Sequence, residues 1–512
     1  MKRFSYVQMM LLVVALTAAA GAAERGAPAK PYDEVSPDRL VIHEWGTFTC
    51  LEDETGRNIT GVNTDDEPVP EFVHRISELI PQPSELAPIY YKGVPRSHRQ
   101  VRMRLETPVI YFHPPVGLSE RLHATVQVGF HGGWLTEYFP SAEVSAPGLK
   151  EGDFRFSGLN SRTLGTLEWH DLTIGGEYDL PQTDAQVWLA PRAVHSAQVK
   201  TPGGEAEQYL FYRGVGNLPS PLMVARSKND DGIVVRENLD PKLGLRTPLL
   251  VRAMWLVHVR EDGSIAFKDL GSAKLAGQAG REIKRCPADF SVQPSRSQAP
   301  LGEAADRSSV SRPFAEPPSD DGYSEENLAR LRSAMRKELI ADGLYADEAE
   351  AMLRTWELAY FKSPGLRLFY LLPQQWTDAV LPLRCSLLAD VSRTMVGRIE
   401  LVTPKQRMLL RQIGQAPVSE INWFHKMMEQ SGERNQMLAR LWEGKARFDD
   451  FGIAVPSDYR AYIDLGRFRN ALILDEQARH PQTGLGRFVD AYHLEYYTPE
   501  GDEAEAKTAS NP

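Results

Sequence analysis

The chain has 512 residues, of which 42% are hydrophobic and 25% charged, and its formal net charge is -10. This composition is typical of soluble globular proteins, and the length is sufficient for two or more domains with sizeable cores. The charge balance, 58 basic against 68 acidic residues, argues against nucleic acid and against an anionic membrane surface as the main partner.

Residues 1–23 have the pattern of a secretory signal peptide. Lys2 and Arg3 precede a short apolar core at 9–16, and small residues at 20–22 offer a cleavage site. The apolar core is too short for a membrane-spanning helix, which needs about 20 apolar residues. We therefore predict a secreted or periplasmic protein with no transmembrane segment after cleavage.

Residues 24–38 are rich in Pro, Ala and charge, and we predict a flexible arm there. From 39 to 286 the pattern changes to β-branched and aromatic runs separated by Gly, Pro and Asp turns, with few convincing helices. Residues 164–174, closed by Gly175-Gly176, are a clear example. Strands at this spacing predict an antiparallel, sandwich-like β-rich domain.

A Pro-, Ser- and charge-rich segment, 287–322, has too few aliphatic residues to fold and predicts a disordered linker. Helical periodicity follows it, and Asp347 with Glu350 has the spacing of a helix N-terminus. We therefore predict a mixed α/β domain over 323–498 and a disordered tail over 499–512. The fold class is α+β with two domains, which should remain folded when they are separated.

The first predicted strand contains His43 beside Glu44. Because neighbouring strand residues point to opposite faces, His43, Trp45 and Thr47 should share one face, with Glu44 on the other. His43 could be a general base or a metal ligand, and Glu44 an acid or a second ligand. Their opposite directions make a shared site difficult, so burial with a hydrogen-bond partner is the alternative for either residue.

Two further acidic residues, Glu106 and Glu137, lie inside strongly β segments. An acid among apolar residues needs a partner or a shifted pKa. Possible cations are Arg102, Arg104 and Arg213, and we predict that at least one of the two acids pairs with an arginine. A catalytic carboxylate pair, as in glycoside hydrolysis, is the alternative.

Candidate binding residues are Arg213, Trp134, Trp169 and His170. The tryptophans could form a platform on which sugars stack, although core packing is the usual role of aromatic residues in strands. His170 lies two residues after Glu168, which is compatible with a metal site or with a solvent-facing polar edge. Other histidines are scattered through the β-rich region: His113, His131, His195 and His258.

The sequence has three cysteines, Cys50, Cys286 and Cys385, and their pairing is left open. No two have CxxC spacing, which excludes a zinc site built on cysteine. Walker A, G-x-S-x-G and H-E-x-x-H patterns are absent from the sequence. We therefore assign neither a metal site nor a cofactor from the sequence.

The segment from His43 to Thr49, His-Glu-Trp-Gly-Thr-Phe-Thr, resembles the opening of a family of uncharacterised secreted proteins from bacteria such as planctomycetes and myxobacteria. Later segments with the same likeness are Glu-Thr-Pro-Val-Ile-Tyr-Phe at 106–112, Leu-Thr-Glu-Tyr-Phe-Pro at 135–140, Phe-Tyr-Arg-Gly-Val-Gly at 211–216, Leu-Phe-Tyr-Leu-Leu-Pro at 368–373 and Val-Gly-Arg-Ile-Glu at 396–400. The resemblance implies an exported bacterial protein and carries over no activity, cofactor or site residue.

Two functional hypotheses follow. The first is a binding or structural module of the cell envelope, with an envelope component or glycan as its partner. The second is an exported hydrolase, with carbohydrates as a candidate substrate class, that uses His43, Glu44, Glu106 and Glu137. The hydrolase requires its acids and histidines to converge in one concave pocket, whereas the binding or structural module predicts that they are dispersed or paired in cores.

Overall fold

The computed structural model describes residues 39–64, 68–79, 90–118, 120–149, 156, 158–227, 232–287, 322–415 and 457–499. The predicted signal peptide and arm lie outside the described residues, as do 288–321 of the predicted linker and 500–512 of the predicted tail. In the part of the chain that is described, no helix combines the length and apolarity that crossing a membrane requires.

The described chain forms 22 strands and eight α-helices. The strands are β1 Leu40–Glu52, β2 His74–Arg75, β3 Tyr90–Tyr91, β4 Val94–Pro95, β5 Met103–His113, β6 Leu122–His131, β7 Gly133–Phe139, β8 Glu143–Ser145, β9 Leu164–Ile174, β10 Val199–Lys200, β11 Ala206–Glu207, β12 Leu210–Gly216, β13 Leu222–Arg226, β14 Gly232–Glu237, β15 Leu249–Val251, β16 Met254–Val259, β17 Ile265–Asp269, β18 Ala273–Leu275, β19 Glu282–Pro287, β20 Gly365–Leu371, β21 Leu383–Cys385 and β22 Ala389–Leu401. The helices are α1 Gln186–Arg192, α2 Glu326–Asp342, α3 Ala346–Thr355, α4 Gln374–Val380, α5 Pro404–Gln415, α6 Ser457–Asp464, α7 Arg469–Arg479 and α8 Gly486–Ala491.

One large sheet organises the fold. Among the described residues it has 15 strands, and its main path runs β11-β10-β9-β7-β12-β5-β1-β22-β20-β16-β17. Near its middle, β1 pairs in parallel with β22, from Leu40 opposite Ala389 to Glu52 opposite Leu401. On its other side β1 pairs antiparallel with β5. The two longest strands are therefore adjacent, although some 350 residues separate them along the chain.

The central strands are buried on both faces. Every residue of β1, β5, β7 and β12 is buried, as is typical of strands that are covered on both sides. Trp45 and Tyr111 belong to a hydrophobic cluster on one face, whereas Ile42 and Phe112 belong to a larger cluster that includes the opposite face. The predicted alternation along β1 is confirmed.

Helices α2 and α3 cover the Trp45 face. Leu331 and Met335 of α2 and Met352 of α3 are fully buried in the same cluster as Trp45. At the start of α3, the residue that caps the helix is Tyr345, whose backbone N–H donates to the Glu348 carboxylate at 2.7 Å. The pattern of Asp347 with Glu350 therefore placed the start of this helix two residues after the observed cap.

The predicted α+β class is confirmed, since a large β-sheet and several α-helices make up the described chain. The sheet is mixed rather than wholly antiparallel, because β1 and β22 run in the same direction. The predicted split into domains 39–286 and 323–498 is not confirmed. Strands β20 and β22 of the second range lie in the sheet between β1 and β16 of the first.

This shared sheet generates a prediction about fragments. A protease site placed between Pro287 and Gly322 should allow cleavage into two pieces that stay associated under native conditions. Each piece expressed alone should lack cooperative unfolding, because β1 without β22 exposes a row of backbone donors and acceptors and both apolar faces. Circular dichroism with denaturant titration measures this. Cooperative, independent unfolding of both isolated pieces would instead restore the two-domain division.

Candidate functional site

The end of the sheet at which β1 begins and β5 ends brings two histidines together. His43 lies opposite Tyr111 in the antiparallel pair, so His113, two residues further along β5, is its diagonal neighbour on the same face. The two imidazole centroids are 5.2 Å apart. Both side chains are buried, and the aromatic ring of Tyr345 packs against each of them.

Helix α3 adds a carboxylate between these histidines. Glu348 Oε2 accepts a hydrogen bond from His43 Nδ1 at 2.7 Å, and Glu348 Oε1 accepts one from His113 Nε2 at 2.9 Å. Because the backbone N–H of Tyr345 also donates to Oε2, the helix N-terminus fixes the direction of the carboxylate. We call His43, His113 and Glu348 the His-Glu cluster.

Glu348 is ionised within the His-Glu cluster. Burial by itself raises the pKa of this carboxyl, but the neighbouring His43 and the hydrogen bonds from His113 and His43 outweigh burial and lower the pKa to about 2. Hydrogen bonding to the charged form of a carboxylate has this effect. The buried cluster therefore contains a carboxylate anion with an imidazole at each oxygen.

The two imidazole nitrogens and one carboxylate oxygen all lie within 4.8 Å of one another. Two histidines with one carboxylate are a ligand set found for zinc and for non-haem iron. The sequence indicates His43 as a candidate ligand, but it predicts no metal site and does not point to Glu348. The available signal was the spacing of Glu348 three residues after Tyr345, which is typical of a helix-capping carboxylate.

Glu44 points away from the His-Glu cluster, to the other face of the sheet. Its carboxylate accepts a hydrogen bond from Arg393 Nε at 2.6 Å and another from the Tyr212 hydroxyl. Burial and the charge of Glu44 together raise the pKa of Tyr212, so the phenol stays protonated and donates. Arg393 also contacts Asp378 at 3.0 Å. Glu44 is therefore part of a buried ion-pair network and does not meet His43.

Glu106 and Glu137 each pair with arginine, which confirms the prediction made from their apolar neighbours. Arg104 Nη2 lies 2.5 Å from Glu106 Oε1, and both side chains are almost completely buried. Arg213 Nη1 lies 3.5 Å from Glu137 Oε2, while Arg75 Nε approaches the other oxygen of Glu137 at 3.3 Å. The three candidate acids therefore lie in three separate ion-pair networks.

Beside Glu137 there is a small polar cavity of about 260 Å³. Its described lining residues are Pro68, Val69, Arg75, Lys92, Gly93, Glu137 and Arg213. Three of these side chains are cationic and Glu137 is the one carboxylate among them. We call this space the Arg213 cavity.

The remaining candidate binding residues do not form an exposed platform. Trp134 and Trp169 are completely buried, and their indole N–H groups donate to the backbone oxygens of Pro147 and Pro140. Core packing is therefore the role that the structure gives them. His170 is half exposed and faces Glu143 at 2.9 Å on the solvent side of the sheet.

All three cysteines are described, and each is a free thiol. Burial raises the pKa of all three thiols, most strongly that of Cys50 beside Glu52. Thiols of this kind are weak nucleophiles, because the thiolate is the reactive form. The cysteines therefore behave as small apolar side chains in this fold.

Comparison with known proteins gives no family for this chain. No family model matches its sequence, and no curated protein is significantly similar to it. The resemblance to secreted bacterial proteins stays a prediction.

The Glu44 network generates a stability prediction. Glu44→Gln should lower the free energy of unfolding by about 3–5 kcal/mol, because it leaves the buried Arg393 guanidinium without its main anion. The matched control is Glu143→Gln, whose partner His170 is exposed, and this change should cost less than about 1 kcal/mol. Denaturant unfolding at pH 7 measures both. Equal stability of the two variants would contradict a buried, essential pair at Glu44.

His258 on β16 generates a pH prediction. Burial, followed by the charges of Arg367, Arg260 and Arg226, lowers the pKa of His258 from 6.5 to about 4. Its Nδ1 lies 2.7 Å from the Tyr323 hydroxyl, which can donate to the neutral ring. Between pH 6.5 and 4 the unfolded chain binds a proton that the folded chain excludes, so the free energy of unfolding should fall as pH falls.

The free energy of unfolding of the parent should fall between pH 7 and pH 4. In His258→Gln this fall should be smaller by up to about 3 kcal/mol. Unfolding curves at the two pH values, compared with those of the parent, measure the difference. The control His131→Gln replaces a solvent-exposed histidine and should leave the parental pH dependence in place. An unchanged pH dependence in His258→Gln would contradict a buried neutral imidazole.

Proposed function

We propose that the chain is an exported bacterial protein that acts as a binding or structural module of the cell envelope. The export part rests on the charged, apolar and small-residue pattern of residues 1–23 and on the resemblance of the His43–Thr49 segment. The binding part rests on one observation, which is the charge of the Arg213 cavity.

The Arg213 cavity suits an anionic group. Arg75, Lys92 and Arg213 contribute three positive charges to its described lining, against one negative charge from Glu137. A guanidinium matches a carboxylate or phosphate in a two-point contact. The volume of about 260 Å³ is below the range of about 300–1,000 Å³ that is typical of cavities for whole small-molecule ligands. We infer that the cavity takes one acidic group of a larger envelope glycan, such as the carboxylate of a uronic acid.

The alternative, an exported hydrolase with Glu44, Glu106 and Glu137, has less support. Glycoside hydrolysis uses two carboxyl groups on either side of one bond, whereas Glu137 is the one carboxylate among the described lining residues of the cavity. Both of its oxygens face guanidinium groups, so this carboxylate already takes part in ion pairs with Arg75 and Arg213. Glu44 and Glu106 are buried in other networks.

A binding experiment tests the proposal. A fluorescent oligosaccharide of uronic acids should bind the protein, and its affinity should fall as salt rises. A neutral oligosaccharide of the same length should not bind. Arg75→Gln should weaken the binding of the acidic probe by about 10-fold or more, since a hydrogen bond to a charged group contributes about 1.5–3 kcal/mol. Fluorescence anisotropy gives the dissociation constants.

The matched control is Arg384→Gln, on the exposed part of β21, which should bind the acidic probe like the parent. Arg75 is chosen because about a third of its side chain is exposed, so its loss should not unfold the protein. Equal binding of both oligosaccharides, or of neither, would contradict the proposal. Release of reducing ends that Glu137→Gln abolishes would favour the hydrolase.

A further inference from the structure

Glu348 differs in its partners from the arginine-paired buried carboxylates of this fold. Glu44, Glu106 and Glu137 each face an arginine, and Glu400 faces both Arg367 and Arg398. Glu348 faces two imidazoles instead. An arginine is always charged and cannot bind a metal ion, whereas a neutral imidazole is one of the commonest metal ligands in proteins.

We propose that His43, His113 and Glu348 bind one divalent transition-metal ion, with zinc as the best fit. Imidazole nitrogen and carboxylate oxygen suit zinc and its neighbours in the first transition series, and they do not suit calcium or magnesium, which prefer all-oxygen sites. Two neutral imidazoles and one carboxylate carry a single negative charge, which partly neutralises a dication in this buried place.

The side chains of the His-Glu cluster must move closer together to hold an ion. Ligands that surround zinc tetrahedrally at about 2.0–2.2 Å lie roughly 3.3–3.6 Å from each other, whereas the ligand atoms here lie within 4.8 Å of one another. Side-chain rotations that move the ligand atoms by about 1 Å are therefore sufficient. The ion would take the place of the hydrogen-bonding protons at His43 Nδ1 and His113 Nε2, and each neutral ring would then carry its one proton on the other nitrogen.

The surroundings of the His-Glu cluster already hold these ligands in place. The Tyr345 N–H fixes one Glu348 oxygen, and the Tyr345 ring packs 4.5 Å from the His43 ring and 4.9 Å from the His113 ring, between centroids. Such outer contacts orient the ligands of metal sites and raise their affinity. The cluster also joins three segments that are distant in sequence, since Glu348 is 305 residues from His43 and 235 from His113.

Burial of the His-Glu cluster points to a slowly exchanging ion that stabilises the fold. The His113 and Glu348 side chains have no solvent exposure, whereas the His43 side chain is 5% exposed. An ion would therefore enter on the side of His43. Three protein ligands leave a fourth coordination position, which a water molecule could take. Because an ion bound only in the folded state shifts unfolding by mass action, loading should raise the melting temperature.

The test uses the mature full-length chain, stripped with a chelator and titrated with Zn²⁺ and with Co²⁺. The parent should bind one equivalent, and bound Co²⁺ should give the visible absorption of a site with nitrogen and oxygen ligands. His113→Gln and Glu348→Gln should both weaken Zn²⁺ binding. Loss of an outer-shell partner weakens metal binding by roughly 10–100-fold, and loss of a ligand should weaken it by more than that. The matched control, His74→Gln, removes a half-exposed histidine that faces Glu205 at 2.9 Å and should bind like the parent.

Two results would overturn the proposal: no stoichiometric binding by the parent, or parental affinity in both His113→Gln and Glu348→Gln. Should these two variants fail to fold, X-ray absorption of the zinc-loaded parent decides the question. Two imidazole ligands and one carboxylate around zinc support the His-Glu cluster. Any coordination without two imidazoles places the ion elsewhere and overturns the assignment. In that case the cluster serves only to join α3 to the sheet.

Discussion

The parallel pairing of β1 with β22 is the interaction on which the rest of the structure depends. It places the two longest strands side by side over thirteen residues each, near the middle of a sheet whose two faces carry separate apolar layers. The same pairing positions the chemistry. Arg393 of β22 is the residue opposite Glu44, and helix α3, whose Glu348 meets His43, packs on the other face.

Charge burial is the second recurring feature of the molecule. The fold keeps several carboxyl groups at almost zero exposure, and a buried carboxyl group stays charged only where a cation or several donors compensate the lost hydration. Arginine does this for Glu44, Glu106 and Glu137, and the regularity of that solution gives the imidazole-bound Glu348 its significance. Ion pairs of this kind are weak evidence for stability, since each can cost as much in desolvation as it returns. In this fold the buried ion pairs determine which residues face each other.

Part of this architecture could be predicted from local sequence and part could not. The period of two in the first strand gave the faces of His43 and Glu44 correctly, and Leu164–Ile174 is a strand with the predicted bounds. Apolar neighbours of Glu106 and Glu137 indicated that arginine partners were needed. These inferences succeed because they depend on neighbours within a few residues.

The predictions that are not confirmed, or could not be made, concern partners distant in sequence. The composition of residues 287–322 suggested two domains, but composition does not reveal that a strand after this segment pairs with the first strand of the chain. Glu348 was missed for the same reason, because its sequence context has the pattern of an ordinary helix start. Of the catalytic and binding candidates that the sequence indicated, His43 belongs to the His-Glu cluster, and its carboxylate partner lies on a helix 305 residues further along the chain.

The order in which a ribosome delivers this chain gives the β1–β22 pairing a further consequence. Glu44 emerges 349 residues before Arg393, which at about 5–20 residues per second is an interval of tens of seconds. During that time β1, which is buried along its whole length in the folded protein, has no partner on one edge and no helix over its histidine. Long-range pairing of this kind slows folding and favours aggregation. Nascent chains of this protein should therefore depend on a holding chaperone until residue 401 has been made.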